Sequence, residues 1–103
     1  MQEENPRQMT RRSKLETCFA IIEVMAKGVE KPTHIMYKAN LSWSVMQDYI
    51  KSLERQGLIT ITGAEGRRVF HLTTKGFDLL SKYLEIKEDI KNSEGMPQNI
   101  VVS

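Results

Sequence analysis

With 103 residues, 40% hydrophobic and 27% charged, the chain has material for one modest core and one small globular domain. Its single cysteine excludes a disulfide framework and a thiolate metal site, and no apolar run approaches the roughly 20 residues of a membrane span. The formal net charge of +2 hides a division: Arg7 to Lys75 carries twelve Lys/Arg against six Asp/Glu, whereas Glu85 to Glu94 carries four acids and two lysines. A basic body with a non-basic C-terminal stretch suits a polyanionic partner for the body alone, an ordinary solvated surface being the plainer alternative.

The opening MQEENPRQMTRR is polar, lacks secretory character and is expected to be a flexible basic arm over residues 1–12. A cytoplasmic, reducing location fits these features. Ser13-Lys14-Leu15-Glu16 then forms a capping box, in which the serine side chain and the glutamate carboxylate each accept the other's backbone N–H. A helix is expected from there to about Lys27. Its inner face carries Leu15, Phe19, Ile22 and Met25, with Ile21 and Cys18 beside them. On that stripe Cys18 is expected to be a buried, unreactive thiol. Gly28 ends the helix, because glycine enters the left-handed cap conformation without strain.

Lys31-Pro32-Thr33 opens a second helix, with Thr33 expected as N-cap and Ile35, Met36 and Ala39 facing inward. Asn40 breaks it and Leu41 fills the corner. Ser42 caps a third helix with Met46, Tyr49, Ile50 and Leu53 on its inner stripe, and Gly57 closes it. Leu58-Ile59 begins a strand that alternates through Ile61. Gly63 and Gly66 bound a loop, and Val69 to Leu72 return as the second strand of one two-stranded ribbon.

Thr73-Thr74-Lys75-Gly76 opens the last helix, with Thr73 or Thr74 as cap. Two apolar stripes follow. Phe77, Leu80 and Leu84 are expected to close the core. Leu79, Tyr83, Ile86 and Ile90, spaced four, three and four, have no partner inside so small a domain, which points to a coiled-coil dimerisation seam rather than a frayed apolar tail. Beyond Asn92, residues 93–103 are expected to be disordered.

This order of parts is mainly α with a β-hairpin, a winged helix-turn-helix plus a C-terminal helix. The expected division is an arm (1–12), a winged domain (13–76), a core and dimerisation helix (77–92) and a tail (93–103). Such a fold presents one helix and one loop sized for DNA grooves. The third helix, about 42–56, would enter the major groove, and the wing, about 58–73, would lie on the backbone or minor groove.

Ser44, Gln47, Asp48 and Lys51 share the outer face of the third helix at i, i+3, i+4, i+7 spacing. Gln47 can pair bidentately with adenine, Ser44 can bond a base or phosphate, and Lys51 can reach guanine or phosphate. Asp48 can accept from cytosine or hold Lys51. Trp43 either packs inward or lies against the sugar-phosphate edge. Arg67 and Arg68 are neighbours on a strand and face opposite ways, so at least one points outward to the DNA, a solvated pair being the plain alternative. Thr33, Lys38 and Ser42 are further DNA-contact candidates, as are Arg11, Arg12 and Lys14 near the arm. His34 and His71 stand apart from other ligand types, and neither a glycine-rich phosphate loop nor a nucleophile elbow occurs. No enzyme activity, metal, cofactor or small-molecule ligand is expected.

The stretch RRSKLETCFAIIEVMAKGVEKPTHIMYKANLSWSVMQDYIKSLERQGLI, followed by the wing and LTTKG, resembles the archaeal winged helix-turn-helix regulators. Among them it is similar to small DNA-binding proteins that dimerise through a C-terminal antiparallel coiled coil. The likeness spans about residues 11 to 90, and KPTHIMYKANLSW, YIKSLERQGLI and LTTKG are its most specific parts. It implies double-stranded DNA as partner, a homodimer, and a nucleoid-associated role in transcription or chromosome organisation. A final helix ending near Asn92 departs from that pattern in giving a short coil. Three functions stay open: a regulator with base preference, an architectural DNA-binding protein with little preference, and a winged helix used for protein association. Polar Ser44, Gln47, Lys51 and Arg67 on the exposed elements argue against the third.

Overall fold

The computed structural model describes residues 12–94. Its elements run α1 (Lys14–Ala26), α2 (Pro32–Ala39), α3 (Trp43–Arg55), β1 (Ile59–Thr62), β2 (Val69–Leu72) and α4 (Thr74–Glu94). Four helices and an antiparallel hairpin make the expected mainly α winged fold. The expected arm and tail fall outside the described residues except for Arg12 and for Ser93 and Glu94, through which α4 continues.

The capping box forms as written: Glu16 N–H donates to Ser13 Oγ at 3.0 Å and Ser13 N–H to Glu16 Oε1 at 2.9 Å. Phe19, Ile21, Ile22 and Met25 of α1 are buried. Leu15 departs from the expected inner face and is 61% exposed, whereas Thr17, in the same first turn, is buried.

In α2, Pro32 takes the first helical position and Lys31 the N-cap, without a side-chain bond. Thr33 is therefore not the cap. Proline's fixed φ and missing N–H suit the first helical position, which moves the helix start ahead of Thr33. Asn40 ends α2 in the left-handed conformation at φ 61°, and Leu41 N–H reaches back to Met36 O at 3.0 Å. Ser42 then caps α3, its Oγ accepting from Val45 N–H at 3.3 Å. Met46, Ile50 and Leu53 fill the core from α3, and Tyr49 is half-buried beside them.

The hairpin pairs Ile59 with Leu72, Thr60 with His71, Ile61 with Phe70 and Thr62 with Val69. Its loop is a β-turn over Ala64–Arg67, closed by Arg67 N–H to Ala64 O at 2.8 Å, with Gly66 at φ +87° in the position where a type II turn demands it. Phe70, buried from β2, also donates its N–H to Glu30 O at 2.9 Å, which fastens the wing to the α1–α2 connection.

The run Thr73-Thr74-Lys75-Gly76 has a specific job. Thr73 caps α4 by accepting Gly76 N–H at 3.1 Å, and its hydroxyl donates to Gly57 O at 2.7 Å. Thr73 N–H donates to Leu58 O at 3.0 Å, and Lys75 Nζ reaches Gln56 O at 2.8 Å, just past the end of α3. Gly76 is buried against the Leu58 carbonyl and the Leu72 side chain, where any Cβ would overlap both. That close approach sets the rotation of α4. Its inward line is Gly76, Leu80 and Tyr83, and the Tyr83 ring stacks on Phe19 with centroids 3.8 Å apart.

Two expectations change as a result. Phe77 and Leu84, read as core, are 48% and 40% exposed on one flank of α4. Tyr83, read as part of the dimer seam, is committed to packing within the chain. Leu79, Ile86 and Ile90 remain exposed on the other flank.

Candidate nucleic-acid interface

Because α3 turns Met46, Ile50 and Leu53 into the core, its opposite face presents Ser44, Asp48 and Lys51 to solvent. Gln47 is half-buried, for it forms part of a wall. A groove of about 640 Å³ runs between the start of α2, the first turns of α3 and the wing. Thr33, Trp43, Gln47, Arg67 and Arg68 line it together, although they come from three separate elements. Ser44, Asp48 and Lys51 lie outside the groove on α3, and Lys38 is exposed on α2. Ser42 sits at the α3 start, where its hydroxyl oxygen accepts the cap N–H.

The alternatives for Trp43 resolve in favour of the surface. The ring is 46% exposed and lines the groove rather than the core. Lys31 and Glu65 also line the groove, and neither stood out in the sequence. The signal for Lys31 was its place immediately before a helix-opening proline, which fixes it beside the first turn of α2. The charged lining is Lys31, Arg67 and Arg68 against Glu65, so the groove is cationic. N-terminal turns of α2 and α3 border it through Thr33 and Trp43, and their dipoles add to the attraction for anions.

Three polar contacts lie outside the groove lining. His71 Nδ1 lies 3.4 Å from Glu30 Oε2, and its Nε2 lies 3.3 Å from Thr62 Oγ1, so the imidazole bridges both strands of the wing and the α1–α2 connection. Arg12 Nη1 donates to Ala39 O at 2.6 Å, which satisfies the end of α2 and removes that donor from any phosphate. His34 is exposed on α2. Cys18 is half-buried, and burial pushes its thiol above its ordinary pKa, which disfavours the reactive thiolate. Among the described residues, no group of three or more His, Cys, Asp or Glu could hold a metal ion, and no helix is long and apolar enough to cross a membrane.

Comparison with known proteins agrees with the fold. A family model described as "Winged helix-turn-helix" matches residues 11–91. The uncharacterized protein MJ0287 of Methanocaldococcus jannaschii is 36% identical over 84 residues, which are 82% of this chain and 81% of that protein. Among solved structures, Sso10a-2, a DNA-binding protein from Sulfolobus solfataricus, superposes with a TM-score of 0.64 at 22% identity, covering 82% of this chain and 90% of its own. The transcriptional regulator BldR from Sulfolobus solfataricus superposes with a TM-score of 0.69 at 16% identity, over 82% of this chain and 64% of its own.

Proposed function

The chain belongs to the winged helix-turn-helix family, and on that premise we propose that it is a double-stranded DNA-binding transcriptional regulator acting as a homodimer. One observation carries the reading: Trp43 and Gln47 of α3, Thr33 of α2, and Arg67 and Arg68 of the wing converge on a single cationic groove. With α3 in the major groove, Ser44, Gln47, Asp48 and Lys51 face base edges. The wing arginines then lie over the adjacent backbone or minor groove, and the intervening sugar-phosphate strand passes between α3 and the wing. Thr33 and Lys38 on α2 flank that strand as phosphate contacts, and Ser42, whose oxygen accepts the cap N–H, keeps its own O–H to donate to a phosphate. The likeness to Sso10a-2, a DNA-binding protein, and to BldR, a transcriptional regulator, supports the same class.

Assembly rests on Leu79, Ile86 and Ile90, an apolar line along α4 that a two-fold partner would bury isologously. Residues 13–76 serve as the reading head and residues 77–92 as core closure and dimer arm. The acidic stretch from Glu85 to Glu94 suits that division, since it keeps the dimer arm off the phosphates.

A second reading, binding with little base preference, draws on the cationic lining, because Lys31, Arg67 and Arg68 meet phosphate whatever the sequence. Titration of labelled duplexes against excess bulk DNA separates the two. A duplex that resists the competitor supports a regulator, and uniform displacement supports the architectural reading. A chain that binds no duplex at low salt contradicts both.

A further inference from the structure

We infer that the groove between α3 and the wing is also a binding site for a nucleoside phosphate, whose occupancy excludes DNA. The groove is open to solvent along one side, and its volume of about 640 Å³ is enough for a nucleoside phosphate. Its lining combines aromatic, amide and cationic groups. Trp43 offers an indole face, 46% exposed at the start of a helix that fills its core with other residues. An aromatic ring so placed is a stacking platform for a base of any kind. Beside it the half-buried amide of Gln47 presents one donor and one acceptor, the pair that reads a base edge bidentately.

The cations Lys31, Arg67 and Arg68 also line the groove, and guanidinium groups suit phosphate oxygens through paired, charge-assisted bonds. Glu65 is the one acid present. It weakens the hold on a bare anion but accepts from an exocyclic amine, which favours an amine-bearing base. Inorganic phosphate would leave Trp43 and Gln47 unused. An uncharged aromatic would leave the cations without a counter-charge. A nucleoside phosphate matches the aromatic, amide and cationic groups together. The site shares side chains with the proposed DNA face, so the two ligands compete, yet the nucleotide is tested without DNA.

Trp43 is the only tryptophan in the chain, so its fluorescence reports on this groove alone. The full chain is titrated with AMP, adenosine and inorganic phosphate, and the same titrations are repeated by calorimetry in case the indole emission is insensitive. AMP is expected to bind saturably, with adenosine and phosphate each weaker by about tenfold or more. Arg67→Ala with Arg68→Ala should weaken AMP about tenfold and leave adenosine unchanged. AMP should also displace a labelled duplex over its own binding range. No saturable response by either method, or adenosine binding as tightly as AMP, overturns the nucleotide site; AMP that binds without displacing the duplex overturns the exclusion. If AMP binds and no duplex does, the DNA reading fails while the groove's ligand stands, and the reverse result fails only the nucleotide.

Discussion

Gln47 and the arginine pair Arg67 and Arg68 line one groove, yet their chemistries assign them different tasks. An amide can distinguish bases, whereas a guanidinium on a loop meets phosphate regardless of sequence. Gln47→Ala should lose about 1–3 kcal/mol on a preferred duplex and flatten discrimination among related sites. If affinity falls by the same factor on every sequence, Gln47 is not a reader. Arg67→Ala with Arg68→Ala should weaken all duplexes alike, and the salt slope should fall by about 0.9 for each phosphate no longer neutralised. A double variant with an unchanged slope would place the wing away from the backbone.

Single positions in the sequence disclose unequal amounts about the site. Both Arg67 and Arg68 were legible from their place after Gly66 in a hairpin loop. Trp43 was not, since an aromatic at a helix start fits a core or a surface equally until the core is known to be filled by Met46, Ile50 and Leu53. Thr33 shows a local rule overriding another: threonine favours an N-cap, but the proline before it fixes the helix start one residue earlier.

At the level of elements, helix starts and stops were largely legible because caps and left-handed turns are local chemistry. Ser13, Ser42, Asn40 and Gly57 each act where their type predicts. The rotation of α4 was not. Periodicity gives the spacing of apolar residues but not which of two stripes turns inward. That choice is made by a distant contact, the Leu58 carbonyl against Gly76, and it brings Tyr83 onto Phe19 while leaving Phe77 and Leu84 outside. Gly76→Ala should therefore destabilise the fold by about 1–3 kcal/mol through overpacking, read as a lower urea midpoint. Ser13→Ala should cost about 1 kcal/mol through the lost cap. A Gly76→Ala protein as stable as the wild type would contradict the close approach that orients α4.

For the whole molecule, the charge division and the apolar line agree. The basic surplus lies between Arg7 and Lys75, on the part that carries the groove, and Leu79, Ile86 and Ile90 lie along the helix that leads away from it. A two-fold pair joined there would carry two α3 helices to major-groove faces about 34 Å apart, or a multiple of it. Without Tyr83 the seam is smaller than the sequence pattern suggested, so a dimer of moderate strength is expected. Ile86→Glu with Ile90→Glu should give a folded monomer with weaker duplex binding. Sedimentation at micromolar concentration reads the outcome, and either a monomeric wild type or a dimeric double variant would remove α4 as the interface.

Binding of double-stranded DNA through a cationic face underlies the functional expectations, and its most direct measure is the affinity of the full chain for one duplex across a range of salt concentrations. If Lys31, Arg67, Arg68 and their neighbours neutralise phosphates, the logarithm of affinity falls linearly with the logarithm of salt, by about 0.9 for each phosphate neutralised. Several such phosphates per protomer make that line steep. An affinity that stays level as salt rises, or no measurable binding even at low salt, would contradict DNA as the partner of this fold.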